Sequence, residues 1–346
     1  MKIGFDAKRA YQNLTGLGNY SRDLIENSIN EFPKNNYVLF APKDIDSPRL
    51  NFLSKHPNVS SIFPENQVNR TFKGLWRTIN MEKSIIKNNI DIYHGLSNEI
   101  PRIKNKKIPY LVTIHDLIFK RFPRNYRTLD RKIYNIDPNK IKVIYQSCHK
   151  NFRIEYSNQE LNLVKEKFNL PEGFILNVGT IETRKNLIAV INAMSIMKIN
   201  IPLVVIGKKT AYMNFIKIQI KKINFDISKI IFLENVSINE LPQIYKLSSL
   251  FVYPSLFEGF GIPILESLHS GIPVISSKGG CFSEAGGPNS KYVDPQDKEE
   301  FAFQIEECLN NSQLRKKMSE MGKKYAQNFN PKKLSNQLND VYKDLL

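Results

Sequence analysis

Short apolar runs alternate with longer stretches in which apolar residues recur at helical spacing, along the whole of the 346-residue chain. That alternation predicts an α/β protein with mostly parallel sheets. In the first half, strands are expected at 2–5, 37–41, 59–63, 91–94, 110–114 and 141–145. In the second half they are expected at 174–178, 202–206, 230–233, 250–254 and 272–276, and the chain from Pro295 onward reads as amphipathic helix. The length allows two domains, each with its own core. The break between them is expected at residue 158, ahead of a polar helix.

In open parallel sheets ligands bind beyond the carboxyl ends of the strands, so the residues just after each apolar run are the candidates for chemistry. One such stretch is Glu258-Gly259-Phe260-Gly261-Ile262-Pro263-Ile264-Leu265-Glu266. Pro263 suits a first helical turn and Gly271 suits the residue past its end, which predicts a helix over 263–270. Gly259 and Gly261 would let bare backbone approach a ligand where first-turn N–H groups point outward, with Glu258 and Glu266 facing it. Taken alone, the residues also fit a glycine-rich turn with two surface glutamates.

After the run 174–178 comes Gly179-Thr180-Ile181-Glu182-Thr183-Arg184-Lys185-Asn186, with Asn186 expected to cap a helix over 187–197. Arg184 offers a fork of donors and Lys185 a point charge, a combination suited to a diphosphate, although an ordinary basic turn has the same composition. In the first half, Thr15-Gly16-Leu17-Gly18-Asn19-Tyr20 opens a helix. It lacks the third glycine and the later acidic residue of a dinucleotide fingerprint, which argues against such a cofactor. His94 and His115 each end a strand run, and Asp116 beside His115 would bias its tautomer or cap the next helix. Asp44-Ile45-Asp46 precedes Ser47-Pro48 and reads as a solvated turn, not a metal site.

Composition narrows the partners. Lys and Arg number 50 against 33 Asp and Glu, a net charge of +17. Up to residue 158 there are 27 basic and 14 acidic residues, so the first half carries +13 of it. An anionic membrane surface or a phosphorylated substrate fits that excess, as does a Lys- and Asn-rich composition that merely keeps the protein soluble. No nucleic-acid motif accompanies the charge. Cys148, Cys281 and Cys308 are too scattered for a disulfide framework or zinc site. The opening residues run straight into a strand pattern without signal-peptide architecture, so a cytoplasmic location is expected.

In order, the stretches 15–20, His94-Gly95-Leu96-Ser97-Asn98-Glu99, Thr113-Ile114-His115-Asp116, 178–186 and 258–266 resemble those of retaining glycosyltransferases of family 4, and of its bacterial mannosyltransferase branch in particular. The resemblance implies a GT-B fold, two Rossmann-like domains facing a cleft, with 331–346 packing back on the first. It implies a nucleotide-sugar donor, GDP-mannose, and a lipid-linked or oligosaccharide acceptor, with no metal or other cofactor. On the donor side it implies Gly16, Leu17, Gly18, Gly179, Gly207 and Val236, and Arg184 and Lys185 on the diphosphate. Glu258 would hold sugar hydroxyls, Gly259, Phe260, Gly261 and Ile262 a backbone cradle, and Glu266 the ribose. His115 would lie near the reacting sugar, and His94 and Asp116 on the acceptor side. One departure is expected: between 126–134 and Ile141 about 30 residues, one helix–strand crossover, are missing relative to the family. A shortened first domain would either expose a sheet edge or force its neighbours to close up, and the chain would then be either an active transferase or a non-catalytic nucleotide-sugar binder.

Overall fold

The apolar runs fold into two parallel sheets. A computed structural model describes residues 1–13, 16–65, 69, 71, 74, 76–98, 100–102, 104, 105, 107–115 and 137–346. They divide into two units, Met1–Gln146 with Asn330–Leu346, and Ser147–Phe329.

The first unit contains β1 (Lys2–Asp6), β2 (Asn36–Phe40), β3 (Val59–Ile62), β4 (Ile92–Gly95) and β5 (Tyr110–Val112). They pair in parallel in the order β3-β2-β1-β4-β5. Phe5, Tyr37, Leu39 and Ile92 fill one face, with the Phe5 and Tyr37 rings stacked 6.0 Å apart. The helix Gly16–Glu31 adds Ile25 and Ile29 to this core, and the helix Pro331–Leu345 adds Leu338 and Tyr342, one turn apart on one face.

The second unit contains β6 (Ile175–Val178), β7 (Leu203–Ile206), β8 (Ile230–Leu233), β9 (Leu250–Tyr253), β10 (Val274–Ser277) and β11 (Lys291–Val293). All pairs are parallel, in the order β11-β10-β9-β6-β7-β8. The helix Ile262–Ser270 buries Ile264, Leu265 and Leu268 against this sheet, each contributing about 1.5–3 kcal/mol by leaving water.

Each sheet reverses its strand order once, between β1 and β4 in the first unit and between β6 and β9 in the second. At such a point the loops after the two neighbouring strands turn to opposite faces and leave a crevice between them.

Three expectations change. Residues 141–145 join no sheet, and Ile141 and Val143 stand 56% and 75% exposed. The apolar alternation is that of a strand, but a strand needs a neighbour's ladder, and among the described residues β5 is an edge. β11 was not expected, because three residues containing one lysine give no periodic signal. The second unit begins at Ser147, not after residue 158, because Cys148 and Phe152 pack into its core, Phe152 edge-on to Tyr245 at 5.5 Å. Asp116, the expected helix 126–134 and the shortened connection lie outside the described residues.

Candidate active site

At the reversal in the second sheet, Asn177 of β6 donates to the Val252 carbonyl of β9 at 2.8 Å and ties the two diverging strands together. The loops beyond them are also joined: the Leu256 amide donates to the Arg184 carbonyl at 2.9 Å, and Asn186 Nδ2 donates to the Pro254 carbonyl at 3.2 Å. Asn186 adopts the left-handed region (φ 54°) and makes no side-chain cap, so it serves as a clamp between loops, not as the expected helix cap.

This scaffold brings Arg184 and Lys185 onto one carboxylate. Glu258 Oε1 lies 2.6 Å from Arg184 Nη1 and 2.7 Å from Lys185 Nζ. Arg184 Nη2 reaches Glu182 at 2.7 Å, and its Nη1 also donates to the Phe257 carbonyl at 3.2 Å. The Tyr253 hydroxyl donates to Glu258 Oε1 at 3.0 Å, and the Lys185 ammonium sits 4.8 Å from that ring's centroid.

The Glu258 and Lys185 side chains are only 12% and 13% exposed, so these charges are mostly out of water. Burial alone would raise the Glu258 carboxyl, but Lys185 and Arg184 outweigh it and hold the group below the usual carboxylate range. Burial pushes the Lys185 ammonium below its ordinary value, with Glu258 opposing. Arg184 is held above its ordinary value, since Glu258 and Glu182 overcome the effect of burial.

Immediately after Glu258 the chain enters the helix Ile262–Ser270 through Gly261, whose φ of 108° excludes ordinary side chains, with Pro263 in the first turn. Gly259 is exposed, Gly261 is buried, and Ile262 is half-buried. Phe260 turns inward and packs on Phe329 at 5.4 Å. Glu266, one turn into the helix, accepts from the Tyr245 hydroxyl at 3.1 Å. Gly207, after β7, is pressed on Gly179 so closely that a Cβ would lie 1.9 Å from the Gly179 carbonyl oxygen. Val236 packs against the neighbouring core.

In the first unit, Gly16, Leu17 and Gly18 form the first turn of the helix Gly16–Glu31. The Gly18 amide already donates to Asn13 Oδ1 at 3.3 Å, and buried Arg22 secures the preceding segment by donating to the carbonyls of Ala10 (2.8 Å) and Asn13 (2.9 Å).

His115 lies beyond the end of β5. Its Nε2 lies 2.8 Å from the Leu96 carbonyl, which can only accept, so Nε2 carries the proton. Gln146 Nε2 donates to Nδ1 at 3.4 Å, Tyr20 meets the ring edge-on at 4.6 Å, and Asn98 Oδ1 accepts from the His115 amide at 3.2 Å. His94 has the opposite fate. It lies inside β4 at 1% exposure, with Nδ1 2.7 Å from the Tyr342 hydroxyl and Nε2 2.7 Å from Thr113 Oγ1. Burial, with His115 adding to it, pushes it down to about 3. Both nitrogens are occupied within the fold, so His94 offers nothing to an acceptor, contrary to expectation.

Tyr253 is the site residue that sequence reasoning missed. It was read as a member of an apolar run, yet a tyrosine closing a strand buries its ring and still requires a partner for its hydroxyl. Among the described residues, no group of three or more His, Cys, Asp or Glu is placed to hold a metal, and no helix is long and apolar enough to cross a membrane.

Residues 158–325 match the family of glycosyl transferases, group 1. The O-antigen chain mannosyltransferase B of Escherichia coli is 27% identical over 217 residues, 61% of this chain and 56% of the relative. The O-antigen chain mannosyltransferase RfbU of Salmonella typhimurium is 33% identical over 175 residues, 50% of this chain and 46% of the relative. The chain thus matches about half the length of these curated relatives. Among solved structures, a glycosyltransferase from Rickettsia africae aligns over 99% of this chain and 98% of its own, with a TM-score of 0.75 at 19% identity. HepE of Anabaena, solved with UDP and glucose, aligns over all of both chains with a TM-score of 0.71 at 16% identity. The chain has the GT-B fold of two parallel-sheet α/β domains, and its second unit is similar in sequence to the group 1 glycosyl transferases.

Proposed function

We propose that this protein is a retaining glycosyltransferase of family 4 that moves a hexose, mannose carried on GDP, to a lipid-linked or oligosaccharide acceptor in surface polysaccharide synthesis. The observation that carries the reading is the convergence of Arg184 and Lys185 on Glu258 at the strand-order reversal, beside a helix entered through Gly261. The mannosyltransferase names of the two curated relatives support the sugar.

In this mechanism the departing diphosphate draws Arg184 and Lys185 into charge-assisted hydrogen bonds as its negative charge develops. Glu258 takes up sugar hydroxyls while continuing to orient both cations. The backbone of 259–262 supports the donor and Glu266 holds the ribose hydroxyls. The acceptor hydroxyl attacks on the face the diphosphate leaves, and a diphosphate oxygen takes its proton, so configuration is retained and positioning replaces a dedicated base. The resemblance assigns His115, its tautomer fixed by Leu96, a place near the reacting sugar. The reading expects turnover without added metal. It also expects attachment to the inner face of the plasma membrane, where the +13 charge of the first half meets anionic lipid; failure to sediment with anionic liposomes at low salt would remove that part.

The test is a panel of GDP-, UDP- and ADP-sugars screened by thermal shift, then by donor hydrolysis and transfer, with and without EDTA. Stabilisation by GDP-mannose with release of GDP supports the reading. Stabilisation without hydrolysis or transfer makes the protein a nucleotide-sugar binder, and no stabilisation by any nucleotide sugar overturns both.

A further inference from the structure

The helix Leu241–Leu247 lies against the helix Ile262–Ser270 and carries a side chain that packing alone does not explain. Tyr245 is 0% exposed, its ring met edge-on by Phe152 at 5.5 Å and tilted against Phe251 at 5.2 Å. Since phenylalanines already stand against it, a further phenylalanine would fill the same space. The hydroxyl is the atom that needs a reason, because a polar group taken out of water is costly unless it is bonded.

That hydroxyl has a single proton to give. Glu266 Oε2 lies at 3.1 Å and the Pro263 carbonyl at 3.3 Å, and the nearer, charged acceptor takes the proton. Burial first, then the Glu266 charge, holds the phenol well above its ordinary value, so it remains a donor at neutral pH. Glu266 is half-buried, with its carboxylate at the end of a flexible side chain. A glutamate so placed samples several rotamers, and a ligand that needs one of them has to supply the ordering. A donor fixed in the core supplies it beforehand. The arrangement repeats at Glu258, where the Tyr253 hydroxyl donates at 3.0 Å and Phe251 stacks on the Tyr253 ring at 5.7 Å. Tyr245, Phe251 and Tyr253 thus form one row of buried rings, with a hydroxyl on each carboxylate of the 258–266 stretch.

We propose that Tyr245 is a positioning residue for nucleotide recognition: from inside the core it holds the Glu266 carboxylate where adjacent ribose hydroxyls donate to it, and so sets a preference for ribose over deoxyribose. That Glu266 meets a ribose rests on the donor site proposed above.

The probes are GDP and UDP, each beside its 2′,3′-dideoxy form, measured by titration calorimetry. In the unsubstituted chain the ribose form is expected to bind more tightly than the dideoxy form. Tyr245→Phe keeps the ring and removes the hydroxyl, and thermal unfolding checks that the fold survives. It should weaken the ribose form about fivefold and leave the dideoxy form unchanged. In Glu266→Ala the ribose preference should vanish, and adding Tyr245→Phe there should change nothing further. If Tyr245→Phe does not fold, Phe152→Leu takes its place: it keeps the hydroxyl, loosens the ring that carries it, and should lower the same preference by a smaller factor. The proposal is overturned if the hydroxyl-free variant weakens both forms alike, as a purely structural tyrosine would, if it weakens neither, if its effect persists in Glu266→Ala, or if the substitute variant leaves the preference unchanged. A ribose preference that survives Glu266→Ala removes the ribose assignment and the proposal with it, and no binding of either nucleotide overturns the donor site as well. Should donor hydrolysis and transfer fail while the ribose preference follows Tyr245, the transferase reading falls and the positioning role stands.

Discussion

At the carboxyl end of the second sheet, two cations, Arg184 and Lys185, converge on Glu258, whereas at the carboxyl end of the first, Asp6 takes both donors of a single guanidinium, Arg77. His94, deeper in the first unit, shows a second solution, since it gives up its charge. Pairing and neutralisation are two ways a fold can keep basic groups out of water, and each has a different sensitivity. A paired group is lost when its partner is removed, and a neutralised one when protons are supplied.

The largest effect is expected from breaking the paired solution. Glu258→Ala leaves Arg184 and Lys185 mostly buried without their common partner and should cost about 3–5 kcal/mol in denaturant unfolding, together with loss of transfer. A loss below about 1 kcal/mol would mean that water already serves these cations.

Next comes the neutralised group. His94 titrates near 3 in the fold against an ordinary 6.5, so its contribution to stability is full above 6.5 and is lost as the pH falls. The slope should approach about 1.4 kcal/mol per pH unit in that interval. Unfolding of the wild type and of His94→Gln between pH 6 and 4 checks this; equal slopes would assign the acid sensitivity to other groups.

Smaller changes sharpen the paired side. Arg184→Ala and Lys185→Ala should each weaken GDP binding about tenfold in calorimetry, and unchanged affinity in both would refute the diphosphate assignment. Tyr253→Phe removes one hydroxyl from Glu258 and keeps the ring under Lys185, so a loss of about fivefold or less is expected for the nucleotide sugar. A larger loss would move Tyr253 from orienting Glu258 to touching the substrate.

Much of this was visible in the sequence because the punctuation was local. Gly261, Pro263 and Gly271 mark the helix after Glu258, and Arg184 and Lys185 stand directly after an apolar run, so topology alone brings them to the same end of the sheet. The two histidines show where local reading stops. Each follows a short apolar run, but His94 is paired within β4, opposite Phe5 and Leu111, whereas β5 ends at Val112 and leaves His115 outside. A shift of a few residues at a strand end separates a core residue from a candidate site residue, and no periodicity resolves it. Tyr253 was hidden because its ring satisfies the apolar pattern and its hydroxyl leaves no trace in it. The segment 141–145 misled for the converse reason: its alternation is strand-like, but membership of a sheet is decided by a neighbour that the sequence does not specify.

The first unit is discontinuous, closed by the helix that carries Tyr342 onto His94. During synthesis on the ribosome the usual order of domain completion is therefore reversed. The second unit has all of its residues once Phe329 has emerged, while the first waits for the helix Pro331–Leu345, with the Tyr342 side of His94 uncovered until then. The core of the first unit thus closes only after every residue of the second has been made.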